Sequence, residues 1–193
     1  MASKFASKFD PANFFYLRNA FLRGSLLLKQ TNFIEFHDLI KGNKPMEPVT
    51  FEYVQGSINK DIILGGGAVY LLSSQLIQAL MEHNFTGWDT FKVEATGKDR
   101  VPIEGYEGLF ITRTAGPFDY SFCQDKLMPN PRGIMIPAYI GMGFDPQTWD
   151  GSDIFSLQNT THVIVSRQVQ EVLRKFKTNS VNLIPLNDYI NFK

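Results

Sequence analysis

The side chains with most chemistry to offer are one cysteine, three histidines and a few clusters of serine, glycine and aspartate. Cys123 beside an imidazole would make a nucleophile pair, but His37, His83 and His162 are all distant from it in sequence. Unless folding joins them, Cys123 is a small apolar side chain. No histidine stands in a metal spacing such as H-E-x-x-H, so no metal and no cofactor is expected. His83 falls in the last turn of an expected helix, where an imidazole suits the dipole. GGGAVY, residues 65–70, lacks the Lys and Ser or Thr of a phosphate loop and reads as a glycine turn. Asp145, Asp150, Gly151 and Asp153 suggest a calcium loop, yet Gly151 at its sixth position would put Pro146 first and Leu157 twelfth. A solvated acidic turn fits better. There is no G-x-S-x-G elbow, and Ser73, Ser74 and Ser166 are needed as helix caps. No catalytic residue is assigned, and the chain reads more as a binder than as an enzyme. Trp88 with Asp89, and Trp149 with Asp150, lie in turns where an exposed tryptophan anchors an interface. These four are the candidate partner-binding residues; the competing reading buries both rings. For Arg113, Asp119 and Tyr120 the expectation is a buried Arg–Asp pair.

The element that positions these residues is the stretch from Val69 to Glu94, which returns in weaker form from Val163 to Leu186. An offset of 92 pairs Ser74 with Ser166, Ile77 with Val169, Leu80 with Val172, Thr86 with Thr178 and Gly87 with Asn179. Each copy reads strand, serine cap, helix, stop, strand. The apolar stripes are Leu76, Ile77, Leu80 and Met81 in one, and Val169, Val172, Leu173 and Phe176 in the other. Gly87 and Asn179 are the expected left-handed stops. One unit cannot bury its own face, so two related units are expected to share a core; the competing reading is that strand, serine cap, helix and stop is a common grammar and the match is coincidence.

Around them, VTFEYV, residues 49–54, alternates as a strand. Residues 14–22, 106–112 and 120–123 read as further strands, 26–28 and 33–36 as short buried runs whose period settles neither helix nor strand, and 134–140 as an apolar stretch, with 61–64 leading into the glycines and MPNPRG, residues 128–133, as a turn. The fold class is α+β, with mixed or antiparallel sheets and two related strand–helix–strand units. Residues 1–193 suit a single domain; a division into lobes 1–60 and 61–193 is the alternative. Lys plus Arg and Asp plus Glu both total 19, which removes the broad cationic field of a nucleic-acid binder. No apolar run approaches the roughly 20 residues that span a bilayer. One cysteine and no secretory leader suit a cytoplasmic protein.

LLSSQLIQALMEHNFTGWDTFKVE, EGYEGLFITRTAGPFDY and VIVSRQVQEVLRKFKTNSVNLIPL together resemble the small α+β immunity proteins of bacterial polymorphic toxin systems, in particular a group first described as a domain of unknown function. The likeness covers Asp61 to Leu186 and leaves the first sixty residues outside. Its motifs are structural and carry over no site residues. It implies a non-catalytic protein that binds and neutralises a cognate toxin. The alternatives are an enzyme or small-molecule binder with a cleft between the two units, and a homo-oligomeric structural component.

Overall fold

The computed structural model describes residues 8–20, 24–32, 43–57, 60–66 and 69–193. His37 and the run at 33–36 lie outside them. The first half of the chain forms β1 (Phe14–Asn19), β2 (Leu27–Gln30), β3 (Val49–Gln55), β4 (Ile62–Leu64), β5 (Tyr70–Ser73), α1 (Ser74–Glu82), β6 (Trp88–Phe91) and β7 (Val93–Thr96). The second half forms β8 (Pro102–Ile103), β9 (Tyr106–Ile111), β10 (Thr114–Pro117), β11 (Gln124–Pro129), β12 (Met135–Ile140), β13 (Ile154–Gln158), β14 (Val163–Ser166), α2 (Arg167–Leu173), β15 (Val181–Pro185) and β16 (Ile190–Phe192). The fold is α+β. Its three sheets run β6-β9-β5-β4-β2-β3-β7-β8, β10-β13-β14-β1-β15 and β11-β12-β16, and the first two mix parallel with antiparallel pairs.

The helices start where the serines cap them. Ser73 Oγ accepts from the Leu76 amide at 3.2 Å, and Ser166 Oγ from the Val169 amide at 3.5 Å. Leu76, Ile77 and Leu80 are buried on α1, and Val169, Val172 and Leu173 on α2. Met81 is 65% exposed, so the α1 stripe is one residue narrower than its sequence implies. The stops also differ from expectation. Asn84, at φ 54°, is the left-handed residue after α1, while α2 closes through tight turns, Lys175 N–H to Val172 O and Phe176 N–H to Leu173 O. Gly87 is left-handed for another reason. It enters β6 so close to β13 that a Cβ would lie 1.9 Å from the Ile154 carbonyl oxygen.

β5 and β6 run the same way with β9 between them, because each pairs antiparallel with β9. β14 and β15 likewise flank β1. Each helix therefore bridges two strands that leave a slot for a third. Asp61, before β4, accepts from Ser73 Oγ at 2.8 Å and from the Lys177 amide beyond α2 at 2.8 Å. Asp153, before β13, accepts from Ser166 Oγ at 3.3 Å and from the amide and hydroxyl of Thr86 beyond α1, both at 3.0 Å. Each aspartate ties its own segment's cap to the other segment's post-helix loop. Leu76, Leu80, Leu72, Val169, Val172 and Val165 belong to one core cluster. A second cluster, around Phe51, Leu71 and Phe91, packs on the eight-stranded sheet, where the Phe91 ring lies against Gly108. A third is aromatic, with Phe14, Phe144, Trp149 and Phe155.

The expected strand at 120–123 is instead a short turn, Tyr120–Phe122, whose cap Asp119 accepts from the Ser121 amide at 2.8 Å. The side chain that satisfies the turn's free amides keeps that segment out of a sheet.

Candidate functional site

The four candidate residues separate. Trp149 is 8% exposed, its ring edge-on to Phe14 at 5.2 Å and its Nε1 donating to the Ser152 carbonyl at 3.0 Å. Its ring is core, which corrects the expectation of an exposed anchor. Stacking among Phe9, Phe14, Phe144 and Phe155 outweighs what a Gly- and Asp-rich loop alone suggests. Asp150 stays at the surface, accepting from the Ser152 amide and pairing with Arg113 at 3.3 Å. Arg113 thus pairs with Asp150 rather than with Asp119, and the pair is exposed rather than buried. Trp88 is half-buried, Nε1 donating to Phe85 O at 3.0 Å, and walls a cleft of about 370 Å³ with Ile77, Met81, Asn84, Phe85 and Asp89. Burial pushes the Asp89 carboxyl up, but hydrogen bonds from Lys44 and the Thr90 amide outweigh it and hold it below the usual carboxylate range.

The residues that could do chemistry are kept apart or occupied. Cys123 Sγ lies 3.2 Å from the Gly141 carbonyl oxygen, and burial pushes its thiol up, so it stays protonated. His162 sits edge-on to Tyr16 at 4.7 Å and 3.4 Å from the Tyr189 hydroxyl through Nε2. Its Nδ1 is buried without a partner among the described residues, and burial pulls the imidazole down, leaving it neutral. Cys123 and His162 are not hydrogen-bonded to each other, and among the described residues neither ring nitrogen meets an acid. His83 Nδ1 lies 2.8 Å from Ala79 O and so carries the proton there. Asp145 caps a short turn through the Gln147 amide, and Gly65 and Gly66 form the β4–β5 turn. Among the described residues, no group of three or more His, Cys, Asp or Glu is arranged to hold a metal ion.

The surface that sequence reasoning missed is the three-stranded sheet. Of the eleven exposed large apolar side chains among the described residues, seven belong to it or to the segments entering its strands: Tyr120, Phe122, Leu127, Ile134, Met135, Ile190 and Phe192. Cross-strand partners share a face. The β11–β12 register therefore sets Leu127, Pro129, Met135 and Pro137 on one face, and Lys126, Met128, Ile136 and Ala138 on the other. Leu127 is 59% and Met135 56% exposed, so the hairpin projects with apolar groups bare. Its loop is built firmly. Asn130 Oδ1 accepts from the amides of Arg132 (2.9 Å) and Ile134 (3.0 Å), and Gly133 takes φ 77°. At the other end Lys193 pairs with Asp125 and lies 4.0 Å from the Tyr139 ring centre. The sequence signal was present in KLMPNPRGIMIP, a turn flanked by apolar residues without the alternation of a half-buried hairpin.

No protein-family model matches the chain, and no curated protein matches it. No helix among the described residues is long and apolar enough to cross a membrane.

Proposed function

We propose that this chain is a non-catalytic binding protein that neutralises a cognate bacterial toxin by covering it, as the resemblance of its Asp61–Leu186 stretch implies. The observation that carries the reading is the concentration of bare apolar side chains on the three-stranded sheet, since an exposed apolar patch of that kind marks an interaction site. The alternative cleft between the two strand–helix–strand segments finds less support, because Leu76, Leu80, Val169 and Val172 pack into one core there. We read those segments as related copies. Supporting this are the shared slot topology, the 92-position offset of Asp61 and Asp153 with their reciprocal bonds, and a serine cap on each helix, although the capping residues, Ser73 and Ser166, stand 93 apart rather than on the Ser74–Ser166 pairing. The sole cysteine accords with action in the cytoplasm.

The test is affinity capture of the tagged chain from lysate of its source cells, with mass spectrometry of what is retained in near-equal amount. One stoichiometric protein that is toxic when expressed alone, and harmless when co-expressed with this chain, is the expected result. Retention of nothing but the chain itself, while neighbouring genes are expressed, overturns the reading.

A further inference from the structure

We infer that the β11–β12 hairpin is an arm that enters a cleft of the partner, and that this cleft has apolar walls and carboxylates at its floor. The inference rests on the toxin-binding reading and deepens it by specifying the bound surface. From residue 126 to residue 136 the only formal charges are Lys126 and Arg132, both cationic. Both are exposed, and neither has an ion-pair partner among the described residues. The nearest acid on β11, Asp125, is already held by Lys193. Lys126, on the face of Met128 and Ile136, and Arg132, in the loop before Ile134, put two free cations on an arm whose other face bares Leu127 and Met135, which complements an acidic site with apolar walls.

A second copy of this chain fits less well. A two-fold contact sets the same patch against itself, so the cations of one tip would meet those of the other. Pro129, on the edge strand, also removes an N–H that strand addition would use. An anionic lipid surface gains little from two basic residues, and the hairpin has no Trp or Tyr between 124 and 136 to seat at the interface. Carboxylate-floored clefts are where hydrolytic enzymes hold metals or run general acid–base chemistry. An arm of this composition would occlude such a cleft directly. The firm loop at Asn130 lowers the ordering cost of insertion.

The experiment uses the full chain in four forms: wild type, Lys126→Glu with Arg132→Glu, Leu127→Asp with Met135→Asp, and Met46→Ala. The protein that wild type captures is purified, and its affinity for each form is measured at low and high salt. Both double variants are expected to weaken binding roughly tenfold or more, the charge variant also losing its salt dependence, while Met46→Ala, an exposed apolar position away from the three-stranded sheet, binds as wild type. Replacing the partner's cleft carboxylates by lysine is expected to restore binding of the charge variant. If circular dichroism shows the apolar variant unfolded, the charge variant decides. A toxic partner bound equally by all four forms overturns the arm and leaves the toxin reading standing; capture of no partner overturns both. Sedimentation of the chain alone and flotation with phosphatidylserine vesicles complete the test. Self-association that the apolar variant abolishes, or vesicle binding that the charge variant abolishes, overturns the arm in favour of a second copy or of lipid.

Discussion

At the residue scale, His162 makes the fold sensitive to acid. Burial holds its folded pKa below the ordinary 6.5, so just under that value the unfolded chain binds a proton that the folded chain refuses. Stability is therefore full above about pH 6.5 and falls as pH drops toward the folded pKa. Urea midpoints taken from about pH 7 to about 5.5 are expected to decline in wild type and to flatten in His162→Phe. Parallel decline in both would assign the effect to other groups. The two tryptophans give a second contrast. Trp149→Ala empties the centre of the aromatic cluster and is expected to cost about 3–5 kcal/mol. Trp88→Ala, at the wall of an open cleft, is expected to cost about half that or less, read by the same denaturation. Equal losses would mean that Trp88 is core as well.

At the element scale, the crossed aspartates are the joints. Asp61→Ala and Asp153→Ala each remove the acceptor for the hydroxyl of their own segment's cap serine and for an amide in the opposite segment's loop, and each is expected to cost about 1.5–3 kcal/mol. A double-mutant cycle of Asp153→Ala with Thr86→Ala is expected to show coupling, and additive losses would dissolve the joint. Much of this level was legible in the sequence. The caps, the β3 alternation and the two helices follow from local chemistry that a reader of Ser73, Val49–Val54 and Val169–Leu173 can see. The helix stops were not legible, because Gly87 answers to a neighbour 67 positions away, Ile154, and Asn84 was free to end α1 first. The three-stranded sheet was missed, and of the candidate residues only their placement can be compared with the structure. Trp88 and Asp89 do meet at one cleft, but Trp149 was claimed by phenylalanines drawn from across the chain, which spacing cannot reveal.

At the scale of the whole molecule, sheet closure is strongly non-local. β1 fills the slot between β14 and β15, with Phe14 opposite Ser166 and Asn19 opposite Val181. A chain ending before Val181 is expected to lose cooperative unfolding by calorimetry, whereas deletion of the hairpin loop residues 130–133 with a two-residue replacement is expected to keep it. A sharp transition in the truncated chain would show that β15 is dispensable. The same topology bears on synthesis. As the nascent chain leaves a ribosome at roughly 5–20 residues per second, Phe14, Phe15 and Leu17 wait on the order of ten seconds before their partners at Val163 to Ser166 appear. Through that interval β1 has neither of the strands it pairs with, and only part of the core that covers Phe15 and Leu17 has been made. A nascent chain stalled before Val163 is therefore expected to recruit a chaperone, and one released after Pro185 to let it go.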